Sequence, residues 1–224
     1  GEQYEGGLRW EVPGADTLLS AAVYRINQTN ALVADPVNPV FSTQAGQVRS
    51  QGFEAEARTN FGPLEAVASY SYTDARQTRT TVAANVNQGL DLVPYNQAGV
   101  CGTYDMGGLG IPGLRLGGGV RYVGSANISG ATFDTRAATL FDLVALYDFG
   151  VADPSLKGWR AQINARNVLD HSYVTCVTVN GCRYSEPRNV FGTLSYRWGA
   201  ARRRPAPHGA TRRDRAPSRP GVRV

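Results

Sequence analysis

Three cysteines, two histidines and one glycine-rich turn are the residues whose types and spacing could carry chemistry in this chain. Cys176 and Cys182 stand five residues apart inside a polar stretch, a spacing that suits a small loop-closing disulfide formed in an oxidising compartment. A metal site would need more ligands, and only His171 lies close, so the metal reading is the weaker of the two. Cys101 is a lone thiol on what reads as a strand, and packing beside Gly99 and Thr103 accounts for it without reactivity. Gly108-Leu109-Gly110-Ile111-Pro112-Gly113 matches a dinucleotide fingerprint by letter. That fingerprint opens a helix, whereas Pro112 and an alternating strand follow here, so a turn is expected and no cofactor. His208 sits in an Arg-rich tail, and no nucleophile has an evident base, so catalysis is not expected.

The elements that must position these residues read as β throughout. Arg188 to Trp198 places Val190, Leu194, Tyr196 and Trp198 on one face and Thr193, Ser195 and Arg197 on the other. Trp159 to Arg166 repeats the scheme with Arg160, Gln162, Asn164 and Arg166 on its polar face. Such alternation fits either a soluble sandwich or a membrane barrel whose apolar face meets lipid. The connections separate the two. Nine strands are expected near 2–11, 17–28, 46–60, 64–75, 95–106, 114–124, 138–149, 159–168 and 188–198, joined by links that run short, long, short, long. Outer-membrane barrels have short periplasmic turns and long extracellular loops in that order. Tyr24, Tyr70, Tyr72, Tyr104, Tyr122, Tyr147 and Tyr196 are expected on the lipid face, as aromatic girdles. No apolar run is long enough for a transmembrane helix.

An odd strand count puts the two chain ends on opposite sides of the membrane, although single-chain bacterial barrels have an even number. The expected fold is therefore an all-β, antiparallel transmembrane barrel fragment of about nine strands, left open at both edges. The alternative architecture is a complete small barrel of eight or ten strands.

Charge divides the chain at the end of the last strand. Eight Arg and one Asp give residues 199–224 a balance of +7, against +5 for the whole, so residues 1–198 carry −2. Partners that need a basic surface, nucleic acid included, are thus not expected for the main body. The 199–224 tail, rich in Arg and Pro, is expected to be disordered and foreign to the fold, by frameshift or read-through past a natural stop. A basic arm for anionic lipid or nucleic acid is the functional alternative.

Four segments together resemble a known family. Arg49-Ser50-Gln51-Gly52-Phe53-Glu54-Ala55-Glu56 and Tyr70-Ser71-Tyr72-Thr73-Asp74-Ala75 are similar to successive strands of TonB-dependent siderophore receptors of the ferrichrome-like class. Asn164-Ala165-Arg166-Asn167-Val168-Leu169-Asp170-His171-Ser172-Tyr173 resembles their N-x-x-N-h-h-D-x-x-Y segment, where h is apolar, and Leu194-Ser195-Tyr196-Arg197-Trp198 their terminal strand. The resemblance implies a 22-stranded barrel around an N-terminal plug, neither the plug nor the earlier strands being in this chain. It implies an outer-membrane location, a ferric siderophore as cargo and not as cofactor, and TonB acting through the plug. The loop carrying the cysteines would contribute ligand contacts, making Tyr173, Arg183 and Tyr184 the candidates, although no aromatic lies between Cys176 and Cys182. Leu194, Tyr196 and Trp198 would form the terminus that the barrel-assembly machinery reads. Independently of the resemblance, Gly52 would relieve crowding where neighbouring backbones or rings approach, while Glu54, Glu56 and Arg58 turn inward. Asn167 and Asp170 would cap a strand end through side-chain bonds to the turn. A passive porin or adhesion barrel, and an outer-membrane hydrolase, are the alternatives. Deleting residues 199–224 should leave membrane assembly and uptake of the full-length receptor equal or better, measured by surface level and iron uptake; loss of either would show that the tail belongs.

Overall fold

The computed structural model describes residues 1–35, 37–38, 40–128, 131–177 and 181–198, and the 199–224 tail lies outside them. Among these residues nine strands form one antiparallel sheet, ordered as they occur in the chain and left open at its first and last strands. They are β1 (Glu2–Glu11), β2 (Asp16–Ala34), β3 (Ser42–Phe61), β4 (Leu64–Arg79), β5 (Asn96–Asp105), β6 (Leu114–Val123), β7 (Ala138–Asp148), β8 (Trp159–Arg166) and β11 (Asn189–Tyr196). A separate ribbon of β9 (Val174–Cys176) and β10 (Cys182–Tyr184) interrupts the last connection, where alternation predicts no strand.

Register converts alternation into two distinct surfaces, because residues directly opposite share a face. One row runs Trp10, Leu19, Ala57, Ala68, Val100, Val120, Phe141 from β1 to β7. The adjacent row on the opposite face runs Arg9, Ser20, Glu56, Ser69, Gly99, Arg121. A one-residue slip would exchange the two surfaces, so the pattern fixes the pairing. The apolar surface belongs in lipid, and the polar one turns inward, with Glu54, Glu56 and Arg58 upon it.

Tyr24 is a correction. It pairs with Gly52 and so lies on the inward face, where its hydroxyl is 3.1 Å from Thr73 Oγ1. A Cβ on Gly52 would fall 2.9 Å from Tyr24 Cζ and against the Tyr72 carbonyl. The glycine is there to let the ring lie across it, which is the crowding expected of this position. Tyr70, Tyr72, Tyr104, Tyr122, Tyr147 and Tyr196 do share the apolar face.

Strands β2 to β4 are longer than alternation alone suggests. Nineteen residues in β2 extend about 60 Å at the usual rise, whereas about 9–11 residues cross a bilayer. The outward face records where lipid stops. Val23, Phe53 and Tyr72 are one row, and the next outward row is Arg25, Gln51 and Asp74. Beyond that boundary the hairpin stands in water, and of the long 29–45 connection only 35–41 lies between the two strands. Turns on the other edge are short. Gly62 (φ 58°) and Pro63 make a two-residue turn of the II′ kind, the Gly taking the positive φ and the Pro the fixed negative one. Met106–Leu109 is a 3₁₀ turn, capped by Asp105 Oδ1 accepting from the Gly107 amide at 2.9 Å, and the glycine-rich stretch that ends at Gly113 runs on into β6 and not into an α-helix.

The two faces differ in what they tolerate. Val100→Arg, at the middle of the apolar face, should cost about 2–4 kcal/mol, whereas Ser71→Arg on the inward face should change stability by roughly 0.5 kcal/mol or less. Unfolding of the full-length receptor in lipid vesicles measures both, and equal costs would contradict the assignment of faces.

Candidate functional site

Where a single sheet separates lipid from lumen there is nothing to bury side chains against, and the buried apolar residues lie instead at one end. Val33, Ala75, Ala126, Ile128, Ala138, Leu140 and Cys176 are the buried apolar residues among those described, and all lie at the end carrying the long loops. Here loops fold back and make a second layer, and this cap is the candidate site.

The loop from β4 to β5 returns along β4, with the Leu90 amide donating to Ala75 O at 2.8 Å and the Thr73 amide to Tyr95 O at 2.9 Å. It then meets the loop from β6 to β7. Asn127 Nδ2 donates to Asp91 Oδ1 at 2.9 Å, and the Tyr95 amide to Ser125 O at 3.0 Å. Thr135 closes that second loop by bonding both ways to Ala126, at 2.8 and 2.9 Å. Burial, then the neighbouring Asp134 carboxylate, raises the Tyr95 hydroxyl above the ordinary tyrosine range, so the cap presents a neutral phenol.

The last loop, from β8 to β11, is the third wall. Asn167, 3% exposed and at φ 50°, fastens its base. Its Oδ1 accepts from the His171 amide at 2.9 Å, and its Nδ2 donates to the carbonyls of His171 and Glu186, each at 3.1 Å. Asp170 Oδ1 accepts from the Arg188 amide at 2.7 Å. Both side chains therefore cap the turn as their types suggest, and in addition tie its outgoing limb to its returning one. Above them the Ser185 amide donates to Tyr173 O at 2.8 Å, β9 pairs with β10, and a disulfide joins Cys176 to Cys182.

The ligand candidates gather on this ribbon without converging. Tyr173 precedes it and lines a cavity of about 30 Å³ with Leu92, Pro94, Ala126 and Thr135, so the three loops meet there. Arg183 lies opposite Thr175 and Tyr184 opposite Val174, so the two project to opposite faces, Tyr184 being 83% exposed. Sequence reasoning missed the pair just below. On the inward face Asp142 takes Arg121 Nε at 2.5 Å and Nη2 at 3.1 Å, and also the Asn167 amide at 2.9 Å. Opposite charges on adjacent strands with inward parity were the available signal. At the far end, Tyr196 stacks 4.9 Å from Trp159 and 6.0 Å from Trp198, with Leu194 on the same outward face. Among the described residues no three His, Cys, Asp or Glu side chains cluster as a metal site would require. The arrangement sets three interlocked loops over a polar wall.

Known proteins share this framework. The sequence profile of the family described as TonB dependent receptor-like, beta-barrel, matches residues 1–168. The ferrioxamine B receptor of Salmonella typhimurium strain LT2 is 34% identical over 200 residues, 88% of this chain and 28% of that receptor. The ferrichrome outer membrane transporter/phage receptor of Escherichia coli K12 is 32% identical over 201 residues, 88% of this chain and 26% of that protein. The chain thus spans between a quarter and a third of these relatives' length. Among solved structures, the ferric preacinetobactin receptor BauA from Acinetobacter baumannii superposes with a TM-score of 0.70 at 22% identity, covering 87% of this chain and 29% of that one. The ferric-catecholate import receptor Fiu from E. coli K12 gives 0.63 at 23% identity, covering 86% and 26%. These two show a common fold.

The cysteine arrangement has a direct check. Thiol titration of the denatured, unreduced protein should find one free thiol, Cys101, and three after reduction. Three before reduction would refute the pairing. Closing so short a loop should stabilise the ribbon by about 2–3 kcal/mol in the chain-entropy account, locally and not across the sheet.

Proposed function

This chain belongs to the TonB-dependent receptor β-barrel family, and from that premise we propose that the receptor containing it imports a ferric siderophore of the hydroxamate type across the outer membrane. The observation that carries the reading is the likeness, over 88% of this chain, to a ferrioxamine B receptor at 34% identity and a ferrichrome transporter at 32%. Ferrioxamine and ferrichrome both chelate ferric iron through hydroxamates, and that shared chemistry supports the substrate class. A bulky chelate with a polar rim suits a vestibule whose wall alternates Arg, Glu, Ser and Gly and whose cap presents tyrosines.

In this reading the exposed ribbon supplies contacts through Tyr173, Arg183 and Tyr184, the guanidinium and phenols donating to chelate oxygens. Iron stays within its chelate and is cargo, so no bond to it is made or broken by this chain and no catalysis is required. Energy would enter through TonB acting on a plug inside the barrel. The outward face would take lipid, and the Leu194, Tyr196 and Trp198 face would present the terminus to the barrel-assembly machinery.

Expressed as full-length receptor in cells lacking other hydroxamate receptors, the protein should restore growth on ferrioxamine B or ferrichrome as sole iron source, and only when TonB is present. Arg183→Ala and Tyr184→Ala should each weaken binding of the ferric chelate by about tenfold without lowering the surface level. Uptake that persists without TonB, or none with any ferric hydroxamate, would overturn the proposal.

A further inference from the structure

The last loop is fastened at its base by one side chain. Asn167 makes three side-chain hydrogen bonds, at 2.9, 3.1 and 3.1 Å, which join residue 171 on the outgoing limb to residue 186 on the returning one. Its own amide donates to Asp142 at 2.9 Å, and that carboxylate is the one gripped by both nitrogens of Arg121 on the inward wall. A continuous path therefore runs from a charged group on the wall, through Asp142 and Asn167, to the paired limbs that carry β9 and β10. The Val168 amide bonding to Phe141 O at 2.8 Å ties the same turn to β7. Side chains at φ near +50° are uncommon outside Asn, Asp and Gly, so the backbone demand is met by a residue that also supplies the bonds.

From this we infer that Asn167 is a positioning residue for ligand recognition. It holds the disulfide-tied ribbon at a fixed height and angle over the Arg121–Asp142 pair, so that the face of the ribbon turned to the wall and the wall itself address one ligand together. The inference rests on the reading of the ribbon as the rim of a siderophore vestibule. It adds that this rim is set in place before ligand arrives, so binding does not have to order it. The disulfide and the clasp divide the work: Cys176–Cys182 ties the two strands of the ribbon, while Asn167 sets where the ribbon stands.

Glycine is the informative substitution, since it accepts φ of 50° without strain and keeps the amide that bonds Asp142 while deleting all three side-chain bonds. Asn167→Asp keeps an acceptor for the His171 amide and loses both donations. In full-length receptor, hydrogen exchange should speed up at His171, Ser185 and Val177 in N167G, less in N167D, with the amides of β8 and β11 protected as in the wild type. Binding of ferric ferrioxamine B or ferrichrome to cells should weaken about tenfold in N167G and less in N167D, with the number of binding sites unchanged. A dissociation constant within twofold of wild type in N167G, or ribbon exchange no faster than wild type, overturns the inference. So does exchange that opens β8 and β11 together with the ribbon, or the failure of both variants to reach the outer membrane, because the residue would then serve assembly. If the wild-type receptor binds no ferric hydroxamate, the functional reading fails on its own, and exchange in N167G still decides whether the clasp holds the ribbon.

Discussion

Inside a bilayer no water is available to satisfy an unpaired amide, and the rest of this structure follows from that constraint. Each backbone N–H and C=O in the hydrocarbon must find a partner on an adjacent strand, since leaving one unpaired costs several kcal/mol. The unbroken ladder from β1 through β8 to β11 is the response, with register irregularities confined to the ends of β2, β3 and β4, beyond the apolar band. Ladder defects occur where water can repair them. β1 and β11 are the two edges of this sheet, each with a row of groups that a neighbouring strand would satisfy.

Once the ladder is fixed, side chains can do only two things, because a strand offers two faces. The outward face takes aliphatic and aromatic residues, and the inward face takes ions that pair across strands. Arg115 bonds Glu65 on β4 at 3.0 Å, reaching over β5 where Thr103 intervenes, and Arg160 meets Asp148 at 2.9 Å. Their partly exposed side chains make such pairs weak sources of stability. What they provide is a charged, hydrated surface on which a large polar ligand or another protein element can rest. Burial of the ordinary kind appears only where loops double the layer, so the rigid packing of this molecule stands at the end where a ligand would arrive.

How much of this was legible depended on whether a feature was local. The strands, the two faces and the alternation of turns all follow from a period of two, and residues such as Trp159 to Arg166 display it over a single segment. Asn167 and Asp170 were legible as caps because Asn and Asp tolerate a left-handed backbone and bond to nearby amides. Tyr24 was misplaced because its neighbours in sequence do not show that a glycine across the sheet is making room for its ring. The lengths of β2 to β4 were underestimated for a related reason. Once a hairpin leaves the lipid its outward face becomes polar, as at Arg25 and Arg49, and the alternation that marks a strand fades while its hydrogen bonds continue. The pairing of Asp142 with Arg121 and Asn167 spans 21 and 25 residues, and no pattern within one segment reports it.

Long connections generally carry both flexibility and function, yet the long last loop is firmly bonded. Here its two limbs are bonded at residues 167 with 186, 170 with 188 and 173 with 185, then by β9 with β10 and the disulfide. Opening it would require these bonds to break together, since each limb holds the other in register. A ribbon so built is not a hinged lid, because among the described residues the limbs at its base are bonded to each other at 167 with 186, 170 with 188 and 173 with 185. This part of the wall is therefore a fixed surface, held by side-chain bonds at its base and by the disulfide above them.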